Sequence, residues 1–143
     1  MPRCRTFVLC LSSFVFFAAP LLAQDKKPTE ISAADLCAAV AKDANAAGSQ
    51  YGGDQLIVTG TVAEIQTGNY NNVKLAGPKE GDGSKLQVLC NFPLDAADQV
   101  KALKKGQKIR IRGQYFASYS TPDHGGPNLI MCKLLPAEPA TKP

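Results

Sequence analysis

The only histidine of the chain, His124, stands in a polar run, Ser118 to Pro127, together with Tyr119, Ser120 and Asp123. Serine, histidine and aspartate are the residue types of a nucleophile, its base and an orienting acid. Crowded into one short loop, however, they cannot take the separate approach directions that acyl transfer demands. Metal chemistry needs several ligands at recognisable spacing, and a lone histidine offers none. Paired carboxylates at matched positions are missing as well. The glycine-rich run Gly77 to Gly83 lies in a hairpin with no helix start behind it, so it lacks the geometry of a phosphate cradle. With the catalytic roles unfilled, the sequence predicts a protein that is not an enzyme and takes no cofactor and no metal.

Recognition is the chemistry that remains. Tyr70 and Asn71 close a turn cluster, Thr67 to Asn71, and Tyr119 and His124 stand in the long run, so these four are the candidate ligand residues. Tyrosines on loops stack on a base or a sugar ring, or else they cover an apolar opening with the hydroxyl turned to a partner, and both readings stand. A second candidate is the basic run Lys104, Lys105, Lys108, Arg110 and Arg112. It reads as an anion-binding stripe. Against that, it reads as the solvent side of a strand, since Arg110 and Arg112 alternate with Ile109 and Ile111, with the lysines at the negative end of a helix.

These residues need elements to hold them. Gln55 to Gln66 alternates Leu56, Val58 and Val62 with polar residues around a central Gly60, the period of a half-buried strand, and the glycine marks a bend or bulge. After Val62 the next large apolar residue is Ile65, so the inward parity slips once. Lys108 to Ala117 repeats the pattern around Gly113. Further strands are predicted over Asn72 to Ala76, Lys85 to Phe92 and Asn128 to Leu135, separated by turn-rich runs. A helix is predicted from Ser32 as N-cap, with Asp35 as its box partner, through an alanine-rich face to Gly48. Another runs from Asp95 as N-cap to Gly106. The fold class is therefore mainly β with helices: a β-barrel of five strands, with an N-terminal helix before strand 1 and a helix between strands 3 and 4, which is the order of the OB-fold. In that barrel the third and fifth strands are neighbours, so Cys90 and Cys132 are the pair placed to form a disulfide. The alternative is that Cys37, Cys90 and Cys132 are buried thiols.

The ends read differently. Arg3 and Arg5 precede an apolar run from Phe7 to Leu22, which predicts a signal peptide over residues 1–23 cut after Ala23 and a periplasmic or secreted protein. The run is shorter than the roughly 20 apolar residues of a membrane span. No cysteine follows the cut, so lipid attachment is not indicated. Once Arg3 and Arg5 are gone, 14 basic side chains face 12 acidic ones, too even a balance to argue for nucleic acid by itself. Residues 24–30 are expected to be a flexible lead, residues 31–135 one OB-fold domain, and residues 136–143 a disordered tail.

Tyr51 after the first helix, Gly60-x-Val62-x-x-Ile65, Cys90-x-Phe92, Leu103-Lys-Lys-Gly106, Ile109-x-Ile111-x-Gly113 and the late Cys132 together resemble the tRNA_anti-like family of small exported OB-fold proteins. The resemblance spans roughly Ile31 to Leu135. It implies fold and export, and it brings no catalytic or ligand residue. A chain that leaves the cytoplasm does not meet tRNA, so the family name describes shape. The expected function is that of an exported binding module for an oligosaccharide, peptide or polyanion. The alternatives are an envelope protein-protein interaction module docking through the exposed edge of the partly open barrel or through the alanine-rich helix, nucleic-acid binding, or a thiol redox role for Cys37.

Overall fold

The computed structural model describes residues 26–137. The export signal expected over residues 1–23 with its cut after Ala23, the start of the lead and residues 138–143 of the tail lie outside the described residues.

The strand Gln55–Gln66 (β2) organises the rest. Leu56, Val58 and Val62 point inward and are buried, as alternation requires. Its first half pairs antiparallel with β5 (Lys108–Tyr115) and its second half with β3 (Asn71–Ala76). β3 pairs with β4 (Gln87–Phe92), β4 lies parallel to β6 (Asn128–Leu135), and β6 pairs with β5. That circuit closes a five-stranded OB barrel. The parity slip in β2 is a bulge at Ala63, because Val62 faces Leu75 while Glu64 faces Lys74.

Gly60 stands just before β2 passes from β5, paired through Thr61, to β3, paired from Val62, and it has a packing role as well. A Cβ there would lie 2.7 Å from the Ala33 Cβ and 3.2 Å from that of Leu75, so the glycine is what lets a helix rest on the strand. Gly113 does sit at a register slip, between Arg112 and Gln114 against β6, and a Cβ on it would lie 2.8 Å from the Cys132 sulfur.

The expected single first helix is two. Ser32 caps α1 (Ala33–Lys42) as predicted: its hydroxyl accepts from the Asp35 N–H at 3.0 Å and donates to the Asp35 carboxylate at 2.6 Å. Asp43 then leaves helical space, at φ −160°, and its carboxylate accepts from the Ala46 N–H to start α2 (Ala44–Tyr51). A short acidic side chain competes for backbone donors in this way and makes a cap of an interior position. Gly48 falls inside α2, which continues to Tyr51, whose ring packs edge-on against Tyr115 at 5.9 Å.

Two further expectations need correction. Thr29 and Glu30 do not belong to a lead: Thr29–Ser32 form β1, parallel to the first half of β2, with Ile31 packed on the core and Glu30 paired to Arg110. Asp95 caps no helix. A 3-10 turn, Leu94–Ala96, runs into the five-residue α3 (Ala97–Lys101), which ends before Lys104 and Lys105. The entry turn is instead tied to β3 by the Asn71 amide, which donates to the carbonyls of Pro93 and Leu94 at 3.1 and 3.3 Å.

A candidate ligand site on the loop after β5

The loop after β5 is built, not slack. Ser120 is 1% exposed at its centre; its hydroxyl donates to the Phe116 carbonyl at 2.8 Å and accepts from the Asn128 N–H at 2.9 Å, tying both ends of the loop together. Two 3-10 turns, Ala117–Tyr119 and Pro122–His124, flank it, and Thr121 bridges to Gly126. Gly126, at φ +124°, lets the loop press on β4, since a Cβ there would lie 2.7 Å from the Gln87 carbonyl oxygen. The β4 N–H groups of Gln87 and Leu89 donate to Gly125 and Pro127.

This scaffold presents three rings. Phe116 and Tyr119 stack at 5.3 Å with planes 16° apart, and His124 meets Tyr119 edge-on at 5.5 Å. The His124 Nδ1 lies 2.8 Å from the Thr121 hydroxyl, which fixes the ring. Phe116 is 37% and Tyr119 52% exposed, so apolar faces are held open to solvent. The structure thus brings Tyr119 and His124 together. Phe116 and Ser120 are the members that sequence reasoning missed; the available signal was the change from alternation to a polar run right after Phe116.

Tyr70 and Asn71 do not join them. Asn71 is buried, 2% exposed, and its amide nitrogen is used on the Pro93 and Leu94 carbonyls, so its donors are turned inward. Tyr70 is exposed but stands beside the Phe92 end of β4, whereas the ring cluster sits over the Gln87 end. Five strand steps separate the two ends, about 17 Å.

The basic run divides as well. Lys108, Arg110 and Arg112 project from β5, with Arg110 paired to Glu30 at 3.2 Å and the Arg112 Nε donating to Gln55 at 3.4 Å. Lys104 and Lys105 belong to the turn before it, where Lys105 adds to the field around Glu64. The Glu64 carboxyl is held below its ordinary range chiefly by its hydrogen bond from Lys74, at 2.9 Å.

All three cysteines among the described residues are free and buried, so the expected Cys90–Cys132 bridge is not made in this structure. Burial pushes the Cys37 thiol up to about 12. It pushes Cys90 well up too, with Cys132 beside it adding to the effect. A thiol that does not ionise is a poor nucleophile, which counts against the redox role of Cys37. α1 buries Ala33, Leu36, Cys37 and Val40 against its own barrel, so that side of the helix is not open to a partner. Among the described residues no three His, Cys, Asp or Glu side chains converge on a metal position, and no helix is long and apolar enough to cross a membrane.

Several solved structures are similar to this chain. A "putative nucleic acid-binding lipoprotein" from Klebsiella pneumoniae is 22% identical, covers 76% of this chain and 92% of its own, and superposes with a TM-score of 0.59. An OBody solved bound to hen egg-white lysozyme is 18% identical over 66% of this chain and 86% of its own, at 0.46. The asparaginyl-tRNA synthetase of Pyrococcus horikoshii is 15% identical over 62% of this chain and 21% of its own, at 0.41. No curated protein matches the chain in sequence. The sequence pattern of one family does match, over residues 17–121, from ahead of β1 through β5 and into the loop after it, and on that agreement of pattern with fold the chain belongs to the tRNA_anti-like family.

Proposed function

We propose that this protein is an exported, non-catalytic binding module that seats a ring-bearing ligand, a sugar or a base, on the Phe116–Tyr119–His124 cluster. The observation that carries the reading is the pair of stacked, solvent-open rings held in place by the buried Ser120. Rings already immobilised lose little freedom when a ligand arrives, and stacking one base on such a face contributes about 1–3 kcal/mol. The cluster lies on the loop between the last two barrel strands, one of the two loops through which OB barrels commonly bind. The Klebsiella lipoprotein of like fold bears a nucleic acid-binding name, which is in keeping with a stacking surface.

Export rests on the apolar run between Phe7 and Leu22 behind Arg3 and Arg5. A mature chain that begins at Gln24 on N-terminal sequencing supports it, and a protein found only in the cytoplasm with Met1 retained removes it. The binding reading is tested by NMR titration of the mature protein with short oligosaccharides and single-stranded oligonucleotides. Perturbation of residues 116–126 by at least one of these ligands, abolished by Tyr119→Ala and kept in Tyr70→Ala, is the expected result. No perturbation of those residues with any ligand would overturn it.

A further inference from the structure

The outward side of β5 is a ladder. Lys108, Arg110, Arg112, Gln114 and, just past the strand, Phe116 alternate with the buried Ile109, Ile111, Gly113 and Tyr115. Alternate residues of a strand share one face at steps of about 6.8 Å. The neighbours on that face are Thr61, Thr59, Ile57 and Gln55 of β2 on one flank, and Leu135, Lys133 and Ile130 of β6 on the other. Lys133 stands directly across from Arg112, a like-charge pairing that costs stability unless an anion lies between or beside the two. Among the described residues the only carboxylate that pairs with this row is Glu30, on Arg110.

The ladder also has walls. A groove of about 490 Å³ is lined by Lys26, Lys27, Gly53, Asp54, Gln55 and Arg112, with Lys26 paired to the Asp54 carboxylate at 2.6 Å. Two residues of that groove are fastened to the end of β5, one residue before Phe116: the Gly53 N–H donates to the Tyr115 carbonyl at 3.2 Å, and the Tyr115 N–H to the Asp54 carbonyl at 3.0 Å. Cations and stacked rings therefore share one rigid corner of the barrel.

We propose that this face of β5 is a track for a single-stranded polynucleotide, whose phosphates lie along Lys108, Arg110 and Arg112 and whose leading base stacks at Phe116 and Tyr119. The step of the ladder is comparable with the phosphate repeat of an extended single strand, and a guanidinium fork suits a phosphate's paired oxygens. A duplex keeps its bases paired and leaves nothing for the rings to stack on. The track lies on strands that OB barrels do not usually use for ligands, so it is not the surface that the fold alone would suggest. The proposal rests on the binding-module reading above for its stacking end, and its test separates the two.

The test is fluorescence anisotropy of the mature protein with a labelled oligothymidylate of about 20 nucleotides across a salt series. Each phosphate contact contributes a slope of about −0.7 in log affinity against log salt, so Lys108→Gln with Arg112→Gln should flatten the slope by about 1.4 and weaken binding about tenfold at low salt. A duplex of equal length should bind more weakly. The track is overturned if the oligothymidylate does not bind, or if it binds with an affinity and slope that the double variant leaves unchanged. It is overturned too if a sulfated glycan of equal charge displaces the oligothymidylate with higher affinity. Loss of oligosaccharide binding in Tyr119→Ala, with no oligothymidylate binding at all, would leave the ring site standing and remove the track alone.

Discussion

A methyl group at position 60 has nowhere to go. Gly60 faces the Ala33 and Leu75 side chains across the helix–strand contact, at 2.7 and 3.2 Å from where its Cβ would stand, and both neighbours belong to regular elements that cannot swing aside. Gly60→Ala is therefore expected to cost about 1–3 kcal/mol, read as a lower urea midpoint with an unchanged slope. Cys37 makes a second prediction at this scale. Its thiol is raised from 9.0 to about 12 by burial, so the thiolate at pH 8 is about one part in ten thousand. Iodoacetamide should leave Cys37 untouched in the native protein and label it in denaturant; labelling in the native protein would mean that α1 opens. The same shift sets a pH window. The folded state favours the neutral thiol, so this contribution is complete below 9.0 and is lost as pH rises toward about 12, and melting temperatures should fall across that range.

Among the elements, the loop after β5 has its two ends tied through a single side chain. Ser120 touches no proposed ligand, yet it supplies the acceptor for the Asn128 N–H and a donor for the Phe116 carbonyl. Ser120→Ala would leave a part-buried donor without a partner, costing about 1–3 kcal/mol. Faster amide exchange at Asn128 and through residues 117–126, with ring binding weakened together with it, is the expected outcome. Unchanged exchange in that segment would show that the 3-10 turns hold the loop by themselves. The two N-terminal helices follow the same logic, since Asp43 acts at once as the end of α1 and the cap of α2.

At the scale of the whole molecule the barrel is closed by its last strand. β6 lies parallel to β4 and antiparallel to β5, and it brings Leu129 and Cys132 into the core. A chain ended at Pro127 would open two strand edges and empty that part of the core, although the family pattern already stops at residue 121. Such a truncation is expected to lose its cooperative thermal transition in circular dichroism. A sharp transition in the truncated chain would show that four barrel strands suffice.

Alternation and parity were enough to read β2, β4, β5 and β6 from the sequence nearly to the residue, together with the slip after Val62 and the Ser32 cap, because these are local rules of backbone geometry and one buried face. The five-strand order carried the OB barrel with them. β1 was not legible, since Thr29–Ser32 becomes a strand only by borrowing the free side of β2. Asn71 looked like a ligand residue because a turn asparagine is usually exposed; only the approach of Pro93 and Leu94, more than twenty residues on, turned its amide inward. Tyr119 and His124 were visible as residue types in a polar run. That they stack with Phe116 around a buried serine, while Tyr70 stands at the other end of β4, depended on long-range pairing that no local pattern encodes.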